Sequence, residues 1–195
     1  MRRALRWVLA VGVGLAVGVG SAALVLSGAL VGSSETKVGA WSISLDRGST
    51  EANPYVRSAT AIQGLLALSQ REAVYLVALG DDDGTDLDAA CRYAIAGADL
   101  PARWWSITLY DGAYLADNDD GRPSVDATSL TRASDGAWTA ELAATAPPDG
   151  DWLSMGEADR PNLVLRLYEP EPSVLDDPTT VPVPTITRVE CGDAR

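Results

Sequence analysis

The chain has 195 residues, ordinary hydrophobic content and no phenylalanine, enough for one domain with a core filled by Trp, Tyr, Leu and Val. Its formal charge is −12; with Arg2, Arg3 and Arg6 set aside, the rest carries 12 basic against 27 acidic residues, a balance that argues against a nucleic-acid partner. It has no histidine, which excludes Ser-His-Asp and Cys-His nucleophiles and the usual His-ligated catalytic zinc, and two cysteines are too few for a thiolate cage.

Residues 8–32 are apolar and uncharged, with the three arginines before them and Glu35 after. Roughly twenty residues, at about 1.5 Å each, span a bilayer. The expected organisation is a cytoplasmic N-terminus at 1–7, a transmembrane anchor at 8–32, a linker at 33–40 and an exported domain at 41–195, periplasmic or extracellular. The run exceeds the about 7–15 apolar residues of a signal peptide, so an uncleaved anchor is the reading and a cleaved signal the alternative. Gly14 and Gly18 form a GxxxG spacing, which offers a face for a homodimer through the anchor helix.

Beyond the linker, Trp41 to Leu45 reads as a strand, followed by a turn at Asp46 to Ser49. Asn53-Pro54 is a helix start, an N-cap with proline at the first helical position, and apolar residues at helical spacing carry the helix to about Leu68. The pattern then turns to β. Ala73 to Leu79 is apolar on both faces, and Asp81-Asp82-Asp83-Gly84 is a hairpin signal leading to a strand from Asp88 to Ala96 that carries Cys91, Tyr93 and Ile95 on one face. Arg103 to Asp111 alternates strictly: Trp105, Ile107 and Leu109 on one face, Trp104, Ser106, Thr108 and Tyr110 on the other. Further strands are expected at Tyr114-Leu115, near Ser129 to Thr131, at Ala137 to Ala143, at Asn162 to Glu169 and at Thr185 to Val189. Trp152-Leu153 is a short apolar anchor, and the five prolines between Pro170 and Pro184 make that stretch an extended wrap. The fold class is mainly β: an antiparallel β-sandwich or jelly-roll-like domain with one helix near its start, preceded by one transmembrane helix.

Several segments in this order resemble the bacterial family designated domain of unknown function 1214. They are Asn53-Pro54-Tyr55-Val56-Arg57, Cys91-Arg92-Tyr93, Leu100 through Asp111, Asp151-Trp152-Leu153 and Leu163 through Pro170. Asp151 departs from the asparagine common there, so nothing is built on that position. The resemblance implies a β-rich jelly-roll-like fold, an exported domain and often an N-terminal membrane segment. It brings no activity and no catalytic residues.

Cys91 and Cys191 are the only cysteines, and an exported domain favours their pairing. A disulfide closing the 99 residues between them is worth on the order of 4 kcal/mol by chain entropy. The acidic turns do not fit a calcium loop. With Gly84 sixth, the first and twelfth positions are Leu79 and Ala90; with Gly121 sixth, they are Ala116 and Ala127. No metal, cofactor or catalytic residue is expected.

Arginines and aromatics placed on ordered elements remain as ligand candidates: Arg57, Tyr93, Arg103, Trp104 and Arg166, a set suited to a carbohydrate or a carboxylate. The function read from the sequence is a membrane-anchored cell-envelope binding or structural module. The alternative is a histidine-free envelope hydrolase using carboxylates on sugar or peptide polymers.

Overall fold

The structure is a computed structural model that describes residues 2–26, 35–45, 49, 52, 57, 68–118 and 120–192. Helix α1 (Arg2–Leu26) has no acidic residue, and its stretch Arg6–Leu24 is long and apolar enough to cross a membrane, with none of it buried inside the protein. The expected anchor is thus helical as far as Leu26. The helix expected from Asn53 to about Leu68 and the turn at 46–49 fall largely outside the described residues.

The rest is two packed sheets. The larger has seven strands in the order β1-β2-β3-β10-β5-β6, with β7 also on β5. These are β1 (Glu35–Val38), β2 (Trp41–Ser44), β3 (Ala73–Ala78), β5 (Ala102–Asp111), β6 (Tyr114–Leu115), β7 (Ser124–Asp126) and β10 (Pro161–Pro170). The smaller sheet has the order β11-β4-β8-β9: β4 (Cys91–Gly97), β8 (Trp138–Ala143), β9 (Asp151–Ser154) and β11 (Thr185–Cys191).

Period-two alternation decides what is buried. Trp105, Ile107 and Leu109 of β5 lie beside Leu167, Leu165 and Leu163 of β10 in register, and all six are sealed from solvent. Each buried leucine of this kind contributes about 1.5–3 kcal/mol. Tyr93, Ile95, Trp138 and Leu142 face them from the smaller sheet. Trp105 and Trp138 stack across the interface, with ring centroids 5.1 Å apart. Two of the buried indoles find backbone acceptors: Trp41 donates to the Pro184 carbonyl at 2.7 Å and Trp138 to that of Ala98 at 2.9 Å.

Five local expectations are corrected. Residues 35–38, expected as linker, form β1, because every residue from Glu35 to Val38 finds a partner on β2. The Asp81–Gly84 turn forms, with the Gly84 N–H donating to the Asp81 carbonyl at 3.0 Å, but it does not close a hairpin within one sheet. After an isolated bridge between Gly80 and Asp86 the chain crosses to the other sheet. That crossing is tight: a side chain at Gly80 would meet the Thr85 carbonyl oxygen at 2.5 Å. The strand expected near Ser129 lies earlier, at β7. The Asp126 carboxylate accepts the Thr128 and Ser129 N–H groups at 2.7 and 3.0 Å and turns the chain there.

Trp152-Leu153 is not an isolated anchor. It lies within β9, which pairs parallel to β8, the one parallel pair in the sheets described. The short strands let residues 144–150 carry the chain back. Lastly, the proline-rich wrap contains helix α2 (Pro172–Asp176) and a 3-10 turn at Pro178–Thr180. Each begins on a proline, which is compatible with the first helical turn, and Val174 of α2 is fully buried.

Candidate functional site: the outer face of the larger sheet

The same alternation that buries the leucines of β10 turns Asn162, Val164, Arg166 and Tyr168 outward. Register then sets their neighbours. Arg166 stands opposite Tyr75 on β3 and Ser106 on β5; Tyr168 stands opposite Ala73 and Trp104; Asn162 stands opposite Tyr110. Three strands thus bring an arginine, three tyrosines, a tryptophan, a serine and a threonine onto one face.

Arg166 is half-buried at the centre. Its Nη1 donates to Thr108 Oγ1 at 3.1 Å, its Nη2 donates to the Tyr110 hydroxyl, and its guanidinium carbon lies 5.5 Å from the centroid of the Tyr110 ring. Trp104 and Tyr168 pack beside it at 5.2 Å with their planes tilted by 48°. Burial pushes the Tyr75 phenol above its usual range, a backbone hydrogen bond from Leu68 opposes this, and the charges of Tyr168, Arg166 and Tyr110 act on it as well. Tyr75, Tyr110 and Tyr168 are therefore electrostatic neighbours around one cation.

Among the described residues no carboxylate lies within ion-pair distance of Arg166. Other arginines do have one: Arg92 with Glu141 and Glu190, Arg103 with Glu169, Arg132 with Asp99 and Arg188 with Asp81. A guanidinium carries five donors in a planar fork suited to carboxylates. Here two donors are held by neutral hydroxyls, so among the described residues the positive charge is oriented but meets no anion.

The remaining candidates fall elsewhere. Tyr93 is 0% exposed and belongs to the core; its hydroxyl accepts the Asp88 N–H at 3.0 Å, and Arg188 covers its ring from 5.6 Å. Arg103 has the opposite parity to Trp104 and stands at the rim, with its side chain 74% exposed and ion-paired to Glu169 at 2.6 Å. Arg57 is helical and exposed, and its immediate neighbours lie outside the described residues. The structure thus places Trp104 and Arg166 on one face and separates Tyr93 and Arg103 from them. Tyr75, Thr108 and Tyr110 complete the cluster. Alternation had put Thr108 and Tyr110 on the Trp104 face; the neighbourhood of Tyr75 depends on β3 lying beside β10, which no local pattern encodes.

The predicted disulfide is present. Cys91 and Cys191 are directly opposite in the β4–β11 register, with Cα atoms 3.9 Å apart. The acidic clusters serve turns and ion pairs. Asp81, 3% exposed, accepts the Thr85 N–H at 2.9 Å and pairs with Arg188 at 3.0 Å, while Asp82 accepts the Ile186 N–H at 2.7 Å. Asp135 and Asp177 likewise accept backbone N–H groups two residues ahead.

The family described as "Protein of unknown function (DUF1214)" matches residues 72–172, just over half of the chain. The chain belongs to this family. The DUF1214 segment takes in β3, β5 and β10, and with them Tyr75, Trp104, Tyr110, Arg166 and Tyr168; β1, β2, β11 and Cys191 lie outside it. Among solved structures the chain is similar to the VPA0106 protein from Vibrio parahaemolyticus, with 22% identity and a TM-score of 0.59 over 72% of this chain and 36% of that one. It also matches an uncharacterised protein from Burkholderia cenocepacia, with 23% identity and a TM-score of 0.45 over 89% of this chain and 41% of that one. The Vibrio match is a likeness of fold, and the chain spans little more than a third of that protein's length. No curated protein matches the chain significantly.

Proposed function

We propose that this DUF1214 chain is a membrane-tethered binding module of the cell envelope that takes a carboxylate-bearing carbohydrate on the outer face of its larger sheet. The observation that carries this reading is Arg166. It is half-buried, aimed by Thr108 and Tyr110, and has no carboxylate in range among the described residues. A partly desolvated cation without an anion is costly, and a ligand carboxylate offsets that cost with charge-assisted hydrogen bonds. Trp104 and Tyr168 supply the apolar faces against which a sugar ring packs, the combination of few oriented polar groups with aromatic walls that ligand sites use.

Tethering is supported by α1, whose apolar stretch follows a cluster of arginines, an arrangement that leaves the N-terminus in the cytoplasm and the sheets outside. Gly14 and Gly18 meet no other atoms within 4 Å, so their stripe is open to a second copy of the helix. Protease added to spheroplasts or protoplasts checks the topology: it should digest residues 35–195 and spare an N-terminal tag.

Calorimetric titration of the full chain in detergent with glucuronate tests the site. The expected result is saturable binding, weaker for glucose, and lost at least tenfold in Arg166→Gln with partial recovery in Arg166→Lys. Equal binding by Arg166→Gln, or no binding of any acidic sugar by the wild type, would overturn the reading.

A further inference from the structure

The larger sheet has one end at which the chain arrives from α1, and register fixes which end it is. Val38 of β1 stands opposite Trp41, Trp41 opposite Ala78 and Ala78 opposite Leu163. Glu35 stands opposite Ser44, one residue past the pair of Ile43 with Leu76. β1 therefore starts on the side toward which β10 runs to its finish at Pro170. Residues 27–34 separate it from Leu26 of α1, a reach of about 30 Å at most. That end of the sheet holds a cleft of about 400 Å³ lined by Arg71, Pro170, Pro172, Leu175 and Asp176. Arg71 precedes Ala73 by two residues and Pro170 follows Tyr168, the partner of Ala73, by two, so both strands deliver their residues to one end. Helix α2 supplies the other three, and the 3-10 turn after it lies against β1. Val174, fully buried, and Leu175, packed on the core, hold α2 in place while Asp176 stays exposed.

The cleft contains one guanidinium and one carboxylate. Among the described residues no ion pair joins them or takes either to another partner. Its walls are two prolines and a leucine, with no aromatic ring. Such a pair suits a ligand that carries both signs. The guanidinium fork matches a phosphate, and the carboxylate accepts from a primary ammonium, which has three N–H donors. A quaternary ammonium has no N–H to give and is recognised by aromatic faces, which this cleft lacks. A chain of net charge −12 repels anionic lipids and polyanions, whereas a zwitterionic headgroup brings no net charge.

Resting on the tether proposed above and not on the Arg166 ligand, we infer that this cleft takes the headgroup of a phosphoethanolamine lipid from the bilayer. The phosphate meets Arg71, the ammonium meets Asp176, and the glycerol and first methylenes lie against Pro170, Pro172 and Leu175. The short connection to α1 keeps the cleft close to the bilayer surface, so effective concentration makes a modest affinity sufficient. Occupancy sets the orientation of the domain: the Pro170 end of the sheet rests on the membrane, and the opposite end, with Tyr114 and Leu115, points away from it.

The test titrates the ¹⁵N-labelled full chain in detergent with dihexanoyl phosphatidylethanolamine, phosphatidylcholine and phosphatidylglycerol, following the amide signals of Ser173 to Asp177. Phosphatidylethanolamine should give a saturable shift at least fivefold tighter than either other lipid. Arg71→Gln and Asp176→Asn should each weaken it at least fivefold, with thermal melting as the folding control, and Arg166→Gln should leave it unchanged. An equal response to all three lipids, or a phosphatidylethanolamine response that survives both cleft substitutions, overturns the site. Glycerophosphoethanolamine, which has no acyl chains, binding as tightly as the lipid overturns the bilayer as the source. Loss of the response in Arg166→Gln overturns the separation of the two sites. Glucuronate binding that persists in Arg71→Gln keeps the Arg166 reading standing whatever the lipids do, and the protease experiment judges the tether by itself.

Discussion

Arg92 and Arg166 occupy corresponding places: each projects outward from an interior strand of one sheet, and each reaches across to the strands beside it. Their partners differ. Arg92 on β4 meets Glu141 on β8 at 2.6 Å and Glu190 on β11 at 2.9 Å, so the smaller sheet closes its own electrostatics next to the disulfide. Arg166 on β10 meets a threonine and a tyrosine hydroxyl. The same side chain is a brace when it is neutralised and, on the proposed reading, a receptor when it is oriented with no carboxylate in range among the described residues.

The largest effect that separates the two faces should come from the disulfide. Replacing Cys91 and Cys191 by serine should lower stability by about 4–5 kcal/mol in urea unfolding, from the long loop released. Hydrogen exchange should localise the damage, with faster exchange for β11 amides and little change for β5 and β10. Equal acceleration in both sheets would break the comparison.

The arginines themselves come next. Arg92→Met leaves the half-buried Glu141 unpaired and should lower the midpoint of chemical denaturation. Arg166→Met loses two hydrogen bonds to neutral groups but also removes a half-buried charge that has no carboxylate in range among the described residues, so its cost in chemical denaturation should be smaller than that of Arg92→Met. A larger cost at Arg166 would mean that it, too, is a brace.

Alkaline pH offers a finer probe of the larger sheet's outer face. The folded-state pKa of Tyr75 is raised, chiefly by burial, so the stability it contributes is complete below the ordinary phenol value near 10 and is lost as pH rises through the folded value. Tyr75→Phe should flatten that alkaline loss. On the acid side the sign reverses. Burial raises the Asp126 pKa, but hydrogen bonds from Thr128 and Ser129 outweigh it and leave the pKa lowered, so its contribution is present above about pH 4 and fades as pH falls. The smallest effect is expected at the rim: Glu169→Gly gives up an exposed ion pair and relieves a left-handed backbone, and should change stability by less than about 0.5 kcal/mol.

How much of this was legible follows from what is local. The faces of β5 and β10 were readable because alternation is written in adjacent residues: Trp105, Ile107 and Leu109 against Trp104, Ser106, Thr108 and Tyr110. The Cys91–Cys191 bond was readable because nothing else was available to pair. Strand order was not. Glu35–Val38 becomes a strand only because β2 has a free edge, and Trp152-Leu153 pairs parallel to β8 only after seven residues of return. Tyr93, a ligand candidate by residue type, points from its sheet into the core. Each depends on contacts distant in sequence, whose cost and reward no short window contains. For the same reason the candidate site was half legible: its residues were on the right face, while the company Arg166 keeps required β3, β10 and β5 to be placed side by side.

Two tryptophans mark the two outer faces. Trp104 lies beside Tyr168 on the larger sheet, and Trp152 of β9 donates its indole N–H to the Ala143 carbonyl at 3.0 Å on the smaller. Both are half-buried, and each has its own indole N–H resonance. Titrating the ¹⁵N-labelled full chain with galacturonate while following these two signals is the most direct test of recognition centred on Arg166. The expected result is a saturable shift of Trp104, abolished in Arg166→Gln, with Trp152 unmoved. Movement of Trp152 with Trp104 silent, or a Trp104 shift that survives in Arg166→Gln, would contradict it.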